Sequence, residues 1–274
     1  MKVGIGTGLW HPGRFEPSLH LPIVCEMGFE AIELNLYKGR KHFDETNKSS
    51  IEELLRVSDG LGLEVWSIHS PDVGSLGGED RDGQRRQIES LRNCLELAEH
   101  LGASVVVSHG LLIAPFDEDL EGSETRLAES LEQLLMIAES VDAKIAFENG
   151  TISRPGHRAI DVLRRVNQTS PSAFGFVLDT GHSNIAGDLH EVCGNVGDRL
   201  ISLHLNDNDG ERDIHLPPGE GTVEWSAVAD VIDQTYYGRC IMYEIEDIGG
   251  SRKPDEVLAS TMEGHRRLIE PVLK

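Results

Sequence analysis

The chain has 274 residues, 39% of them hydrophobic, and a formal net charge of -22 from 25 Lys and Arg against 47 Asp and Glu. That length suits one domain with a large core, and no apolar run reaches the span of a transmembrane helix. The acidic surplus, with RDGQRRQ at 81–87 as the densest basic cluster, weighs against nucleic acid as the main partner.

Strand-like and helix-like runs alternate along the chain. The first strand is expected over 3–9, followed by a segment with Pro12, Pro17 and Pro22 that leads into a helix ending near Gly28. A second strand reads over 31–36, and a helix over 50–61 is closed by Gly62. The third strand covers 64–69 and runs into a polar loop at 72–80. A long helix over 83–101 carries Leu91, Cys94, Leu95, Ala98 and Leu101 at helical spacing. The fourth strand is 104–109, a helix follows over 122–141, the fifth strand is 144–148, and a helix spans 157–167. The sixth strand is 174–178, 187–197 holds at most a short helix, and the seventh strand is 200–205. A helix over 225–234, an eighth strand over 240–245 and a helix over 254–269 complete the pattern. Eight strands in strict alternation with helices predict a parallel sheet, and eight units in this length predict a closed (β/α)8 TIM barrel in a single domain, 1–274. The glycines of Gly4-Ile5-Gly6-Thr7-Gly8 lie within the first strand with no helix directly behind, so they do not mark a dinucleotide site.

The N-terminal MKVGIGTGLW reads as that strand and not as a signal peptide. Cys25, Cys94, Cys193 and Cys240 are far apart and read as free thiols of a reducing compartment. Together these give a cytoplasmic expectation.

The chemistry collects at strand ends. Strand two offers Glu33, strand three His69, strand four His109 and strand five Glu148. Strand six gives Asp179 and His182, strand seven His204 with Asp213 and His215 beyond it, and strand eight Glu244. A parallel barrel brings these ends to one mouth. Each residue alone is a common structural or solvated group, but four carboxylates in one small volume repel one another unless a cation sits between them. Glu148, Asp179, His204 and Glu244 form an oxygen-rich set suited to Mn²⁺, Mg²⁺ or Co²⁺ and tolerant of Zn²⁺. His69, His109, His182, Asp213 and His215 are candidates to hold further metal, or else to ring a single-metal site and bind substrate. Glu33 and Trp10 are further substrate-binding candidates, Trp10 and Trp66 are core or mouth lining and candidates to stack on a sugar face, and Arg154 and Arg212 are the nearest candidates for a substrate phosphate.

Read as GFEAIELNL, SIHSP, VVVSHG, AFENG, VLDTGHSN, LHLNDNDG, DIHLPPGEGTVEW and YEIE, these segments resemble the xylose isomerase-like TIM barrel superfamily over the whole chain. That group contains sugar phosphate isomerases/epimerases and endonuclease IV. Likeness to the sugar branch implies one metal on Glu148, Asp179, His204 and Glu244. It also makes Glu148 and Glu244 the catalytic proton-transfer groups, His182 a substrate ligand and a sugar or sugar phosphate the partner. Two departures from ketose 3-epimerases stand out. No second glutamate follows Glu148 in ENGTISR, and Gly210 occupies the position of an expected arginine. Likeness to the endonuclease IV branch implies three zinc ions and phosphodiester hydrolysis, and all nine ligand types have matches here. A dehydratase-type lyase of cyclic polyols would use the same site. The resemblance also leaves room for a homo-oligomer.

Overall fold

The computed structural model describes residues 1–111, 120–151, 156–234, 238–246 and 251–273. Eight parallel strands run in the order β7-β6-β5-β4-β3-β2-β1-β8. They are β1 (Val3–Gly6), β2 (Ala31–Asn35), β3 (Glu64–His69), β4 (Val105–Ser108), β5 (Lys144–Glu148), β6 (Phe174–Asp179), β7 (Leu200–His204) and β8 (Ile241–Tyr243). A parallel bridge between Leu205 and Tyr243 joins the two edges. Leu205 N donates to the Met242 carbonyl and Glu244 N to the Leu205 carbonyl. The closing seam therefore lies beside His204 and Glu244. The chain is a single-domain (β/α)8 TIM barrel.

The described helices are α1 (Pro17–Glu26), α2 (Lys48–Leu61), α3 (Arg81–Leu101), α4 (Leu120–Ala138), α5 (Ala159–Val166), α6 (Thr180–Ala186), α7 (Leu189–Cys193), α8 (Trp225–Gln234) and α9 (Pro254–Leu268). Asn47 and Asp80 cap α2 and α3 through their side chains, while Gly62 and Gly102 close them in the left-handed conformation.

Period-2 alternation sets what faces the barrel interior. Val105, Val107, Ala146, Val177 and Ile201 form one small buried cluster with Trp66, and Ala31, Cys240 and Met242 form another on the same indole. Moving two residues on from Ala31, Val107, Ala146, Val177 and Met242 reaches Glu33, His109, Glu148, Asp179 and Glu244. The lower barrel is thus filled with small apolar groups and the upper barrel with ligating ones.

Several sequence expectations are corrected. The first strand stops at Gly6 and a 3-10 turn, Thr7–Trp10, follows. Asn35 accounts for the bend, because its Oδ1 accepts from Gly8 N at 2.8 Å and its N donates to Thr7 Oγ1 at 2.9 Å. The sixth strand continues to Asp179, which caps α6, a helix the sequence pattern did not reveal. Trp66 lines the opposite, N-terminal end of the barrel with Ser104, Lys144 and Arg239, far from any sugar-stacking role at the mouth.

Among the strand glycines Gly175 has the tightest surroundings. A Cβ there would sit 2.3 Å from the Ile201 side chain. Gly175→Ala should therefore cost about 1–3 kcal/mol by overpacking. Urea unfolding checks this, and adding Ile201→Ala should return part of the loss through positive coupling.

Candidate metal centre

The sequence-predicted residues meet in four candidate ligand groups, three of which share residues. They are Glu148, Asp179, His204 and Glu244; His69, His109 and Glu148; His182, Asp213 and His215; and His69, His204 and Glu244. Within each group one ligand atom per residue lies within 4.8 Å of the others. Glu148 and Asp179 are fully buried, and so is His204.

At the centre His204 Nδ1 lies 3.2 Å from both Glu148 Oε2 and Glu244 Oε2. Neither His204 Nδ1 nor Glu148 Oε1 forms a hydrogen bond, although both are buried. Two lone-pair atoms held out of water without a donor are costly for a protein alone and suit a cation. The donor set of three carboxylates and an imidazole fits a divalent metal.

The five histidines share one arrangement. Each turns one ring nitrogen outward to an oxygen acceptor. His69 Nδ1 faces the Ser70 carbonyl at 3.1 Å, His182 Nδ1 the Asn149 carbonyl at 2.9 Å and His215 Nδ1 the Glu244 carbonyl at 2.9 Å. His109 Nδ1 faces Asp72 Oδ2 at 3.1 Å, and His204 Nε2 faces Glu33 Oε2 at 3.0 Å. These oxygens only accept, so in a neutral ring the outer nitrogen carries the proton and the inner one presents its lone pair. Outward anchoring of this kind fixes the tautomer of metal-ligating histidines. The inner atoms converge on carboxylates: His69 Nε2 at 3.2 Å and His109 Nε2 at 3.4 Å from Glu148 Oε2, with His182 Nε2 at 3.4 Å and His215 Nε2 at 3.1 Å from Asp213.

The carboxylates are anchored too. Asp179 Oδ1 accepts from His182 N at 2.6 Å as the cap of α6, and its Oδ2 accepts from Asn206 Nδ2 at 2.7 Å. Asp207 receives the backbone N–H groups of Asn208, Gly219 and Val223 and the Trp225 indole N–H at 2.8–2.9 Å. It thereby pins the loop that carries Asp213 and His215. His215 itself sits at φ 44, a left-handed backbone rarely adopted by a side-chain-bearing residue.

Without a cation, protons balance these carboxylates. Burial pushes the His204 ring down, but Glu33, Glu148 and Glu244 outweigh it and hold the ring well above its ordinary value. The same opposition raises His182 to about 9, with Asp179, Asp213 and Glu148 as the raising charges. Burial raises Glu148, and His204 and His109 overcome it, so Glu148 lies well below the usual carboxylate range. Asp179 is instead raised to about 6 by burial, against the opposing pull of His182.

Three predicted residues, Glu33, Trp10 and Arg212, fall differently from expectation. Glu33 is fully buried behind His204, with Asn35 Nδ2 on Oε1 and Ser67 Oγ and His204 Nε2 on Oε2, so it orients the His204 ring and does not line the cavity. Trp10 is buried against Phe15 and stacked on His20 with ring centroids 4.7 Å apart, and it does not line the cavity at the mouth. Arg212 pairs with Asp209 at 2.7 Å on the exposed surface. Arg154 lies outside the described residues. Trp66 is at the other end of the barrel.

Four residues at the mouth escaped the sequence reading. A cavity of about 200 Å³ is lined by His69, His109, His182, Asp213, His215 and Glu244 together with Tyr37, Lys38, Asp72 and Glu246. Tyr37 donates toward Glu244 Oε1 at 2.8 Å and Glu246 Oε1 at 2.9 Å. Burial first, then these two carboxylates, keep its phenol protonated by raising it well above its ordinary value. The one usable signal was position, since Tyr37 and Glu246 each lie two to four residues beyond a residue already singled out at a strand end. A larger groove of about 620 Å³, between Leu36, Pro71 and Cys94, contains none of the ligand groups.

The chain belongs to the xylose isomerase-like TIM barrel family, whose model matches residues 21–268. Among solved structures it is similar to the IOLI protein with a bound zinc atom, at 17% identity and a TM-score of 0.84 with all of both chains covered. It is also similar to a D-tagatose 3-epimerase-like protein, at 24% identity, a TM-score of 0.81, and 99% and 98% of the two chains covered. These likenesses show the shared fold. An uncharacterized protein of Methanocaldococcus jannaschii, MJ1311, is 30% identical over 105 residues, a stretch spanning 37% of this chain and 36% of that protein.

Protonated His182 stabilises the metal-free protein fully below its unfolded value near 6.5, and that contribution is lost as pH rises through about 9. Metal-stripped protein should therefore melt at falling temperature from about pH 6.5 to about pH 9. Added divalent metal should remove most of that decline, because the cation replaces the protons. Calorimetric scans across this pH range with and without metal check both arms.

Proposed function

We propose that this member of the xylose isomerase-like TIM barrel family is a divalent-metal-dependent sugar isomerase or epimerase. The observation that supports it most is the pair Glu148 and Glu244, each 3.2 Å from His204 Nδ1, with Glu244 lining a cavity of about 200 Å³. That volume fits one small molecule better than a polymer. Structural neighbours that include D-psicose 3-epimerase with D-tagatose and the zinc-binding IOLI protein point the same way.

Glu148, Asp179, His204 and Glu244 would hold the metal. Bound there, a divalent cation polarises a substrate carbonyl and its neighbouring hydroxyl, which acidifies the adjacent C–H. The protein's own part is proton transfer and orientation. Glu148 Oε1 has no hydrogen-bond partner and is free to accept the proton as the C–H electrons move toward the carbonyl. Glu244 returns a proton to the opposite face or to the neighbouring carbon. His69, His109 and His182 line the cavity and hold substrate hydroxyls. Arg212 is turned away toward Asp209, and Lys38 is taken up by Glu246 at 2.5 Å, so an unphosphorylated sugar suits the described cavity better than a sugar phosphate.

One observation favours a second reading, metal-assisted phosphodiester hydrolysis. The ligand groups include the three sets that likeness to endonuclease IV implies, with Glu148 shared between two of them. The small cavity and the net charge of -22 oppose it.

Incubation with ketohexoses and inososes in D₂O should place deuterium at a carbon beside the carbonyl. Glu148→Gln and Glu244→Gln should each slow that exchange by at least about 10²-fold. Exchange surviving either change removes that residue from proton transfer, and loss of water from the product identifies a dehydratase. No exchange with any substrate, combined with cleavage of an abasic-site oligonucleotide, would put the hydrolytic reading first.

A further inference from the structure

We propose that Tyr37 is a positioning residue of the metal centre, holding Glu244 so that Oε1 faces the rim and Oε2 faces His204, with Lys38 and Glu246 in turn holding Tyr37. This rests on the metal centre proposed above but not on the sugar chemistry.

Tyr37 comes from the 3-10 turn Leu36–Lys38, which directly follows β2. Its single O–H lies between two carboxylates, 2.8 Å from Glu244 Oε1 and 2.9 Å from Glu246 Oε1. Two carboxylates this close repel each other unless their charges are countered. Lys38 Nζ does this from the outer side, 2.5 Å from Glu246 Oε1 and 4.5 Å above the centre of the Tyr37 ring. Both members of that ion pair are largely withdrawn from solvent, at 14% and 13% side-chain exposure, which lessens screening by water. Gly8 forms the floor: a Cβ there would lie 3.4 Å from Glu246 Oε1, Lys38 Cε and Tyr37 Oη alike. The Tyr37 ring also meets the His69 ring, with centroids 4.5 Å apart. One side chain thus touches two members of the ligand groups and ties both to the rim.

The consequence concerns the number of oxygens Glu244 offers. With Oε1 engaged by Tyr37, only Oε2 is directed to the centre, 3.2 Å from His204 Nδ1. Loss of the hydroxyl frees Oε1 and lets the carboxylate rotate, as Glu246 loses the same tether. Residues that orient ligands in this way change metal affinity by about 10–100-fold when removed.

The test is titration of metal-stripped wild type, Tyr37→Phe and Lys38→Met with Co²⁺, followed by calorimetry and by visible absorption. Tyr37→Phe should bind about 10–100-fold more weakly and show a changed Co²⁺ absorption band, which reports ligand number and geometry. Lys38→Met should shift affinity in the same direction by less, because an uncompensated Glu246 draws the Tyr37 proton away from Glu244. Folded Tyr37→Phe with affinity within about twofold of wild type and an unchanged band would overturn the proposal. If Tyr37→Phe does not fold, the same result for Lys38→Met overturns it. Wild type that binds no Co²⁺ would instead remove the metal centre itself.

Discussion

Everything at the mouth of this barrel depends on countering negative charge that the fold has taken out of water. Glu33, Glu148, Asp179 and Glu244 are buried around His204, and Asp72, Asp213 and Glu246 stand one layer out. Among the described residues, Lys38 is the one ammonium lining that cavity. Buried carboxylates without partners are among the most costly groups a protein can carry. Five histidines with their inner nitrogens aimed at these oxygens are therefore a necessity of the arrangement. Protons on those rings, or metal in their place, keep the upper barrel together.

The scaffold makes such concentration possible. A parallel barrel aims every strand end at the same opening, and alternation along each strand separates the apolar lower layer from the ligating upper one. Small residues such as Ala146 and Val177 fill the lower layer, so the next inward position along the same strand is free to carry a carboxylate. The β7–β8 seam closes at Leu205 and Tyr243, one residue from His204 and one from Glu244, which fixes both residues through the backbone. Around them Asn149, Asn206 and Asp207 spend their hydrogen bonds on orienting Asp179 and the loop bearing His215.

The eight-fold alternation was legible because apolar runs and Gly or Pro punctuation repeat with the period of the fold. The ligand groups were legible because metal-binding residue types recur at strand ends, where a barrel gathers them. What remained hidden depends on direction. Glu33 sits at a strand end like Glu148, and only the position of Ser67 and His204 shows that it faces a histidine and not the cavity. Tyr37 and Glu246 carry no motif, and their pairing spans 209 residues of sequence. Helix α6 is seven residues long and is set by the Asp179 cap more than by any apolar stripe. Trp10 and Trp66 look alike as candidate sugar platforms, but packing buries one against Phe15 and sends the other to the far end of the barrel.

The most direct test of the centre is equilibrium dialysis of tag-free protein against trace divalent metals, with content per chain read by plasma mass spectrometry. At least one tightly held divalent ion per chain is expected, lost when Glu148 is replaced by Ala. One ion of Mn, Mg or Co per chain fits the single oxygen-rich set, and three Zn ions per chain would match the three sets of the hydrolytic alternative and strengthen it. Folded wild-type protein that retains no divalent ion under these conditions would contradict the account at its root, because the buried carboxylates would then be balanced by protons alone.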